Sequence, residues 1–131
     1  MKSMHLCHAL TGRTLLSTCL IAVAGAAMAQ SSLTDADLKT LVVGKTVDFK
    51  SLVNGRTGAG YFAPDGRYTL RFDNGKTIEA EWSIAADGTL CINGLAQVCG
   101  PVSRSADGVY TRYTGDKPTA VLMKFTAGKT F

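Results

Sequence analysis

Glu79 and Glu81 stand two positions apart in a stretch that alternates polar and apolar residues, so both carboxylates project from one face of a strand. Such a pair is the minimum apparatus for glycoside hydrolysis, one group as acid and the other as base or nucleophile. Arg67 and Arg71 fall one strand away and offer a plainer account, a solvated face of opposite charges. Other kinds of nucleophilic catalysis lack their parts. The only histidines are His5 and His8, both near the N-terminus in a segment expected to be removed. Without them neither a Ser-His-Asp nor a Cys-His arrangement can be assembled. Cys91 and Cys99 are too far apart for a Cys-x-x-Cys redox motif and lack the further ligands of a zinc site. They suit a structural disulfide instead. Asp87, Asp107 and Asp116 have no calcium-loop spacing, and the first two sit in turn-forming tripeptides. The expectation is a protein that is not an enzyme and holds no metal or cofactor.

The N-terminus explains why the histidines do not count. Lys2 and Arg13 precede an uncharged, largely apolar run from Leu15 to Ala29, and Ala27-Met28-Ala29 is a small-x-small cleavage site. The run is shorter than the ~20 residues a spanning helix needs. Residues 1–29 are therefore expected to be a signal peptide, cut between Ala29 and Gln30, and residues 30–131 a single exported domain, periplasmic or secreted. Leu16-Ser17-Thr18-Cys19 partly resembles a lipoprotein box, but Thr18 fits poorly before the cysteine and the apolar run continues beyond it. Export places Cys91 and Cys99 where a disulfide persists. The exported part keeps twelve basic and ten acidic residues, a net +2, with no basic run. Nucleic acid and membrane surfaces are thus poor partners. Phe131 invites comparison with outer-membrane barrels, which often end in an aromatic, but Lys129 breaks the required alternation.

The elements that must position these residues are a short helix followed by strands. Thr34 is a good N-cap, and Asp35 and Asp37 complement the helix dipole. Leu33 and Leu38 are spaced as a hydrophobic staple, Leu38, Leu41 and Val42 form one stripe, and Gly44 suits the C-terminal cap. Four tripeptides then recur with Asp or Asn second and Gly third, ending at Gly66, Gly75, Gly88 and Gly108. They fit three-residue hairpin loops with the glycine in the left-handed conformation. Closing the first three sets Phe62 against Tyr68, Leu70 against Ile78, Ile84 against Leu90 and Trp82 against Ile92. Apolar meets apolar each time, whereas two-residue turns would slip the register by one. The inward face is then rich in Phe, Tyr, Trp, Leu and Ile, which argues for a filled core. Trp82, the sole tryptophan, belongs to it. Gly58 and Gly60 fall on the same face, opposite Phe72 and Leu70, and mark a bend. If Cys91 faces Cys99, their hairpin is centred on Leu95. The fold class expected is all-β, an antiparallel up-and-down meander of about eight strands forming a small barrel or half-barrel, with a short N-terminal helix.

Several stretches carry a resemblance: Leu33 to Leu38, Gly44-Lys45-Thr46, Tyr61 to Tyr68, Glu81-Trp82-Ser83-Ile84, Leu90-Cys91 and Cys99. Together they resemble small exported proteobacterial proteins of unassigned function, which have an N-terminal helix before a disulfide-stapled meander. That family brings no catalytic residues. The general plan is also similar to bacterial inhibitors of secreted metalloproteases, with Gln30 to Leu33 matching their N-terminal segment in place. Periplasmic lysozyme inhibitors of the barrel type carry a Ser-Gly loop before a Tyr strand, which Ser105 to Tyr110 resembles loosely. Lipocalin-like binders open with Gly-x-Trp, from which Ala80-Glu81-Trp82 departs. These resemblances imply a non-enzymatic binding domain, first a protein-binding or inhibitor-like module. The alternative is a carrier of a small apolar ligand in the barrel interior. Tyr110 and Tyr113, on opposite faces of one strand, are the candidate contact residues.

Overall fold

In the computed structural model, residues 31–131 are described, and the expected signal peptide and its cleavage point between Ala29 and Gln30 lie outside the described residues. The described residues begin with a two-residue strand β1 (Ser31–Ser32) and helix α1 (Asp35–Val42). Eight strands of ordinary length or shorter follow: β2 (Lys45–Ser51), β3 (Thr57–Phe62), β4 (Arg67–Phe72), β5 (Thr77–Ile84), β6 (Leu90–Asn93), β7 (Gln97–Gly100), β8 (Val102–Arg104) and β9 (Tyr110–Thr114). The long β10 (Lys117–Ala127) ends the fold. All sheet pairings are antiparallel, and the order is β1-β8-β9-β10-β2-β3-β4-β5-β6-β7. The expected all-β meander with one short helix is thus what the chain forms.

Register follows the turn chemistry. Ala63 and Arg67, Phe72 and Lys76, Ala85 and Thr89, and Ser105 and Val109 close the four loops, each with its glycine bonded back across the turn. All four glycines have positive φ, from 83° at Gly75 to 91° at Gly66. The middle Asp or Asn has a further task in three of the loops. Its carboxyl or amide oxygen accepts from the N–H two residues on, in Asp65 to Arg67, Asn74 to Lys76 and Asp87 to Thr89. The pairs Phe62–Tyr68, Leu70–Ile78, Trp82–Ile92 and Ile84–Leu90 face one another as the alternation requires.

The sheet curls until its ends meet. β10 pairs with both β2 and β9, joining the last strand to the first of the meander. On the far side β7 and β8 are one strand interrupted at Pro101, which has no N–H for the ladder. The β8–β9 pairing continues onto β7 through Tyr113 N–H to Pro101 O (2.9 Å) and Gly115 N–H to Cys99 O (3.0 Å). Gly100 makes this approach possible, since a β-carbon there would collide with the backbone carbonyl of Tyr113. The seam therefore needs glycine for want of space.

Helix α1 closes one end of this curled sheet. Thr34 caps it, its hydroxyl accepting from Asp37 N–H at 3.2 Å, and Lys39 pairs with Asp35 one turn back. Leu38 and Val42 are fully buried and join Val47, Phe62, Tyr68, Leu90, Val102 and Leu122 in the core. Leu33 packs against the same cluster and donates its N–H to Val102 O. The core is thus concentrated under the helix. The opposite end has no such plug.

Candidate functional site

Opposite the helix, the interior opens into a cavity of about 340 Å³. Its walls are the inward positions of nearly every strand, among them Phe49, Leu70, Phe72, Ile78, Ile92, Val98 and Leu122. The expectation of a filled interior holds only beneath the helix. The reason lies in residue size and number. Ala80 and Ala120 contribute only one carbon each to the inner face, whereas the room left by Gly58 is taken by the Phe49 ring. At Gly60 the space goes to the Tyr68 phenol, which a β-carbon would strike. The mouth is formed by the loop after β2, with Val53, Asn54 and Arg56, and the loop between β6 and β7, with Gly94 and Ala96. Leu52, Val53 and Leu95 on these two loops are exposed, Leu95 completely.

Two cations line the cavity. Arg56 at the mouth is satisfied: it pairs with Asp73 at 3.2 Å and lies over the Phe72 ring, 5.7 Å from its centre. Arg112 is not. It projects inward from β9, between Val102 on β8 and Ala120 on β10. One guanidinium nitrogen reaches the Val98 carbonyl at 3.5 Å, and Nε is buried with no hydrogen-bond partner. Among the described residues the ion pairs are Lys39–Asp35, Arg56–Asp73 and Arg67–Asp65, none of which involves it. No Asp or Glu among the described residues lines the cavity. Burial pulls the guanidinium pKa below its ordinary value, opposed by nearby Tyr68. Burial likewise pushes the Tyr68 phenol up to about 12, with Arg112 acting in the other direction. The lining is therefore apolar, with a neutral phenol and an unpaired cation on its inner wall.

The residues singled out from sequence fall elsewhere. Glu79 and Glu81 project from the outer face of β5, away from the cavity. Glu79 accepts a hydrogen bond from Thr69 at 3.1 Å. Glu81 lies opposite Arg67, which pairs with Asp65 instead. Trp82 faces inward, its indole N–H donating to Ala63 O at 2.8 Å and its ring edge-on to Phe62 at 5.8 Å. Cys91 and Cys99 are disulfide-bonded and directly paired across the β6–β7 hairpin. Tyr110 is half-buried, edge-on to Phe125 at 5.3 Å with the Arg104 guanidinium over its ring. Tyr113, also half-buried, lies at the β7–β9 seam. The two tyrosines are on opposite faces and do not come together.

Sequence reasoning did not single out Arg112. Its one signal was phase: it alternates with Tyr110 and Thr114, and β9 has so little amphipathic contrast that the inward face could not be told from the outward. Among the described residues no group of three or more His, Cys, Asp or Glu could hold a metal ion, and no helix is long and apolar enough to cross a membrane. Comparison with family models, curated proteins and solved structures finds no match.

Proposed function

We propose that this chain is a non-enzymatic binding protein of an exported compartment, periplasmic or extracellular, that holds a small apolar ligand inside its barrel. The observation that carries the reading is the 340 Å³ cavity, apolar over most of its wall and bordered by the loop after β2 and the loop between β6 and β7. That volume lies at the small end of the range typical of ligand sites, about 300–1,000 Å³. Curled sheets of this strand number either fill with side chains or hold one small ligand. Here the helix-covered end is filled and the other end is hollow. The Cys91–Cys99 disulfide fits a compartment that permits disulfides.

The test uses N-phenylnaphthylamine, an uncharged dye that fluoresces in apolar surroundings. The protein should bind it saturably at one site. Leu70→Trp and, independently, Val98→Trp put an indole into the hollow and should abolish binding while the far-ultraviolet circular dichroism stays that of the parent. An absence of binding by the parent protein, or equal binding by folded filled variants, would sink the reading.

A second reading is favoured by the mouth itself. Leu52, Val53 and Leu95 are exposed on two neighbouring loops, and solvent-exposed aliphatics grouped at a rim fit a protein-docking or inhibitor-like role. It predicts that Leu52→Ser with Leu95→Ser weakens capture of a protein partner without changing dye binding.

A further inference from the structure

Resting on the reading of the cavity as a ligand site, we infer that its ligand is an anion: a small carboxylic acid with an apolar body, its carboxylate paired to Arg112. The argument begins with what the chain leaves unfinished. A guanidinium remains charged at any ordinary pH. Burying one without a partner is costly, and buried cations are normally paired. Arg112 has a buried Nε with no hydrogen bond, and among the described residues its guanidinium makes one long hydrogen bond, to the Val98 carbonyl. The cavity lining contains, among the described residues, no carboxylate that could turn to meet it. The other lining arginine, Arg56, already has Asp73. The hollow therefore carries an uncompensated positive charge among aliphatic and aromatic walls.

Position reinforces the point. Arg112 and Thr114 share the inward face of β9, but Thr114 is exposed whereas Arg112 is recessed. A cation meant only for solubility would stand at the Thr114 level, in water. The guanidinium fork presents two N–H groups in the spacing of a planar carboxylate's oxygens. Most of the remaining wall is apolar, with Phe49, Leu70, Phe72, Ile92 and Leu122, and beside the paired Arg56 and the Tyr68 phenol its polar side chains are Ser51, Asn54, Thr114 and Thr119, too few and uncharged to hold a polyanion. One negative group and an apolar body is the composition that satisfies both parts of the site.

Displacement of bound N-phenylnaphthylamine by decanoate and by decanol separates the two ideas. The two competitors have the same chain length and differ in the charged group. At neutral pH decanoate should displace the dye about tenfold or more better than decanol, the factor expected of one charge-assisted hydrogen-bonded pair. The preference should fade as pH falls below about 4, where the carboxyl takes up its proton. Arg112→Gln, with each competitor scaled to that variant's own dye affinity, should reduce the two competitors to equal strength. The comparison on the parent protein decides the matter even if that variant does not fold. Equal displacement by decanoate and decanol would overturn the anion while leaving the cavity reading intact. Failure of the dye itself to bind would overturn the cavity reading, and the anion with it.

Discussion

Neighbouring residues on β5 carry opposite consequences because a strand sends them to opposite faces. Trp82 buries its ring against Phe62 and Ile92 and spends its one donor on Ala63. Trp82→Ala removes that packing and leaves a void, and should cost about 3 kcal/mol in denaturant unfolding. Glu81 points into solvent with no ion pair, so Glu81→Ala should cost less than about 0.5 kcal/mol. If Trp82→Ala proved nearly neutral, the ring would not be held as the register places it. This contrast was legible in the sequence because Thr77 to Ile84 alternates without a break. Arg112 was not legible for the converse reason. Tyr110, Thr111, Arg112, Tyr113 and Thr114 are amphipathic on both faces of β9, and only the three-dimensional placement of Ala120 and Val102 beside Arg112 shows which side is the interior.

At the scale of elements, hairpins were readable and their junctions were not. The Asp-Gly and Asn-Gly tripeptides fix loop length, and loop length fixes register, so β3 to β6 follow from local chemistry. The Cys91–Cys99 pair does the same for β6 and β7. Replacing both cysteines by serine should cost about 2–3 kcal/mol, the loop-closure effect of so short a ring, with the dye site retained at low temperature. Loss of the site in a folded double variant would mean that the bridge shapes the cavity wall at Ile92 and Val98. β7 and β8 are separated at Pro101, and β10 carries register shifts between Pro118 and Ala120 and between Leu122 and Lys124. Such irregularities depend on strands far apart in sequence having to meet at the right angle. Gly100 is where that demand is sharpest. Gly100→Ala should destabilise by about 2 kcal/mol or more, the cost of overpacking a closed contact, although alanine is no worse than glycine in an open strand. A neutral Gly100→Ala in thermal unfolding would show that β7 and β9 are not held this close.

For the molecule as a whole, a plugged end and a hollow end divide the interior into packed core and open space. The core under α1 holds the fold, and the open half remains free of side chains at some cost in packing. Tyr68 sits at the boundary, its ring packed on Phe62 in the core, its hydroxyl over Gly60 and its side chain lining the hollow, and it reports on both through its titration. Its phenol is pushed up to about 12 by burial, against an ordinary 10.0. The folded state therefore keeps this proton over a range in which the unfolded chain has lost it. Stability from this group is fully present below pH 10 and is lost as pH rises through 12. The total loss is about 3 kcal/mol, two units at roughly 1.4 kcal/mol each. Urea midpoints measured across that window should fall for the parent protein and fall less for Tyr68→Phe, which has no proton to lose. Parallel curves for the two proteins would mean that the phenol is already in contact with water and that the hollow reaches further beneath the helix than Leu38 and Val42 allow.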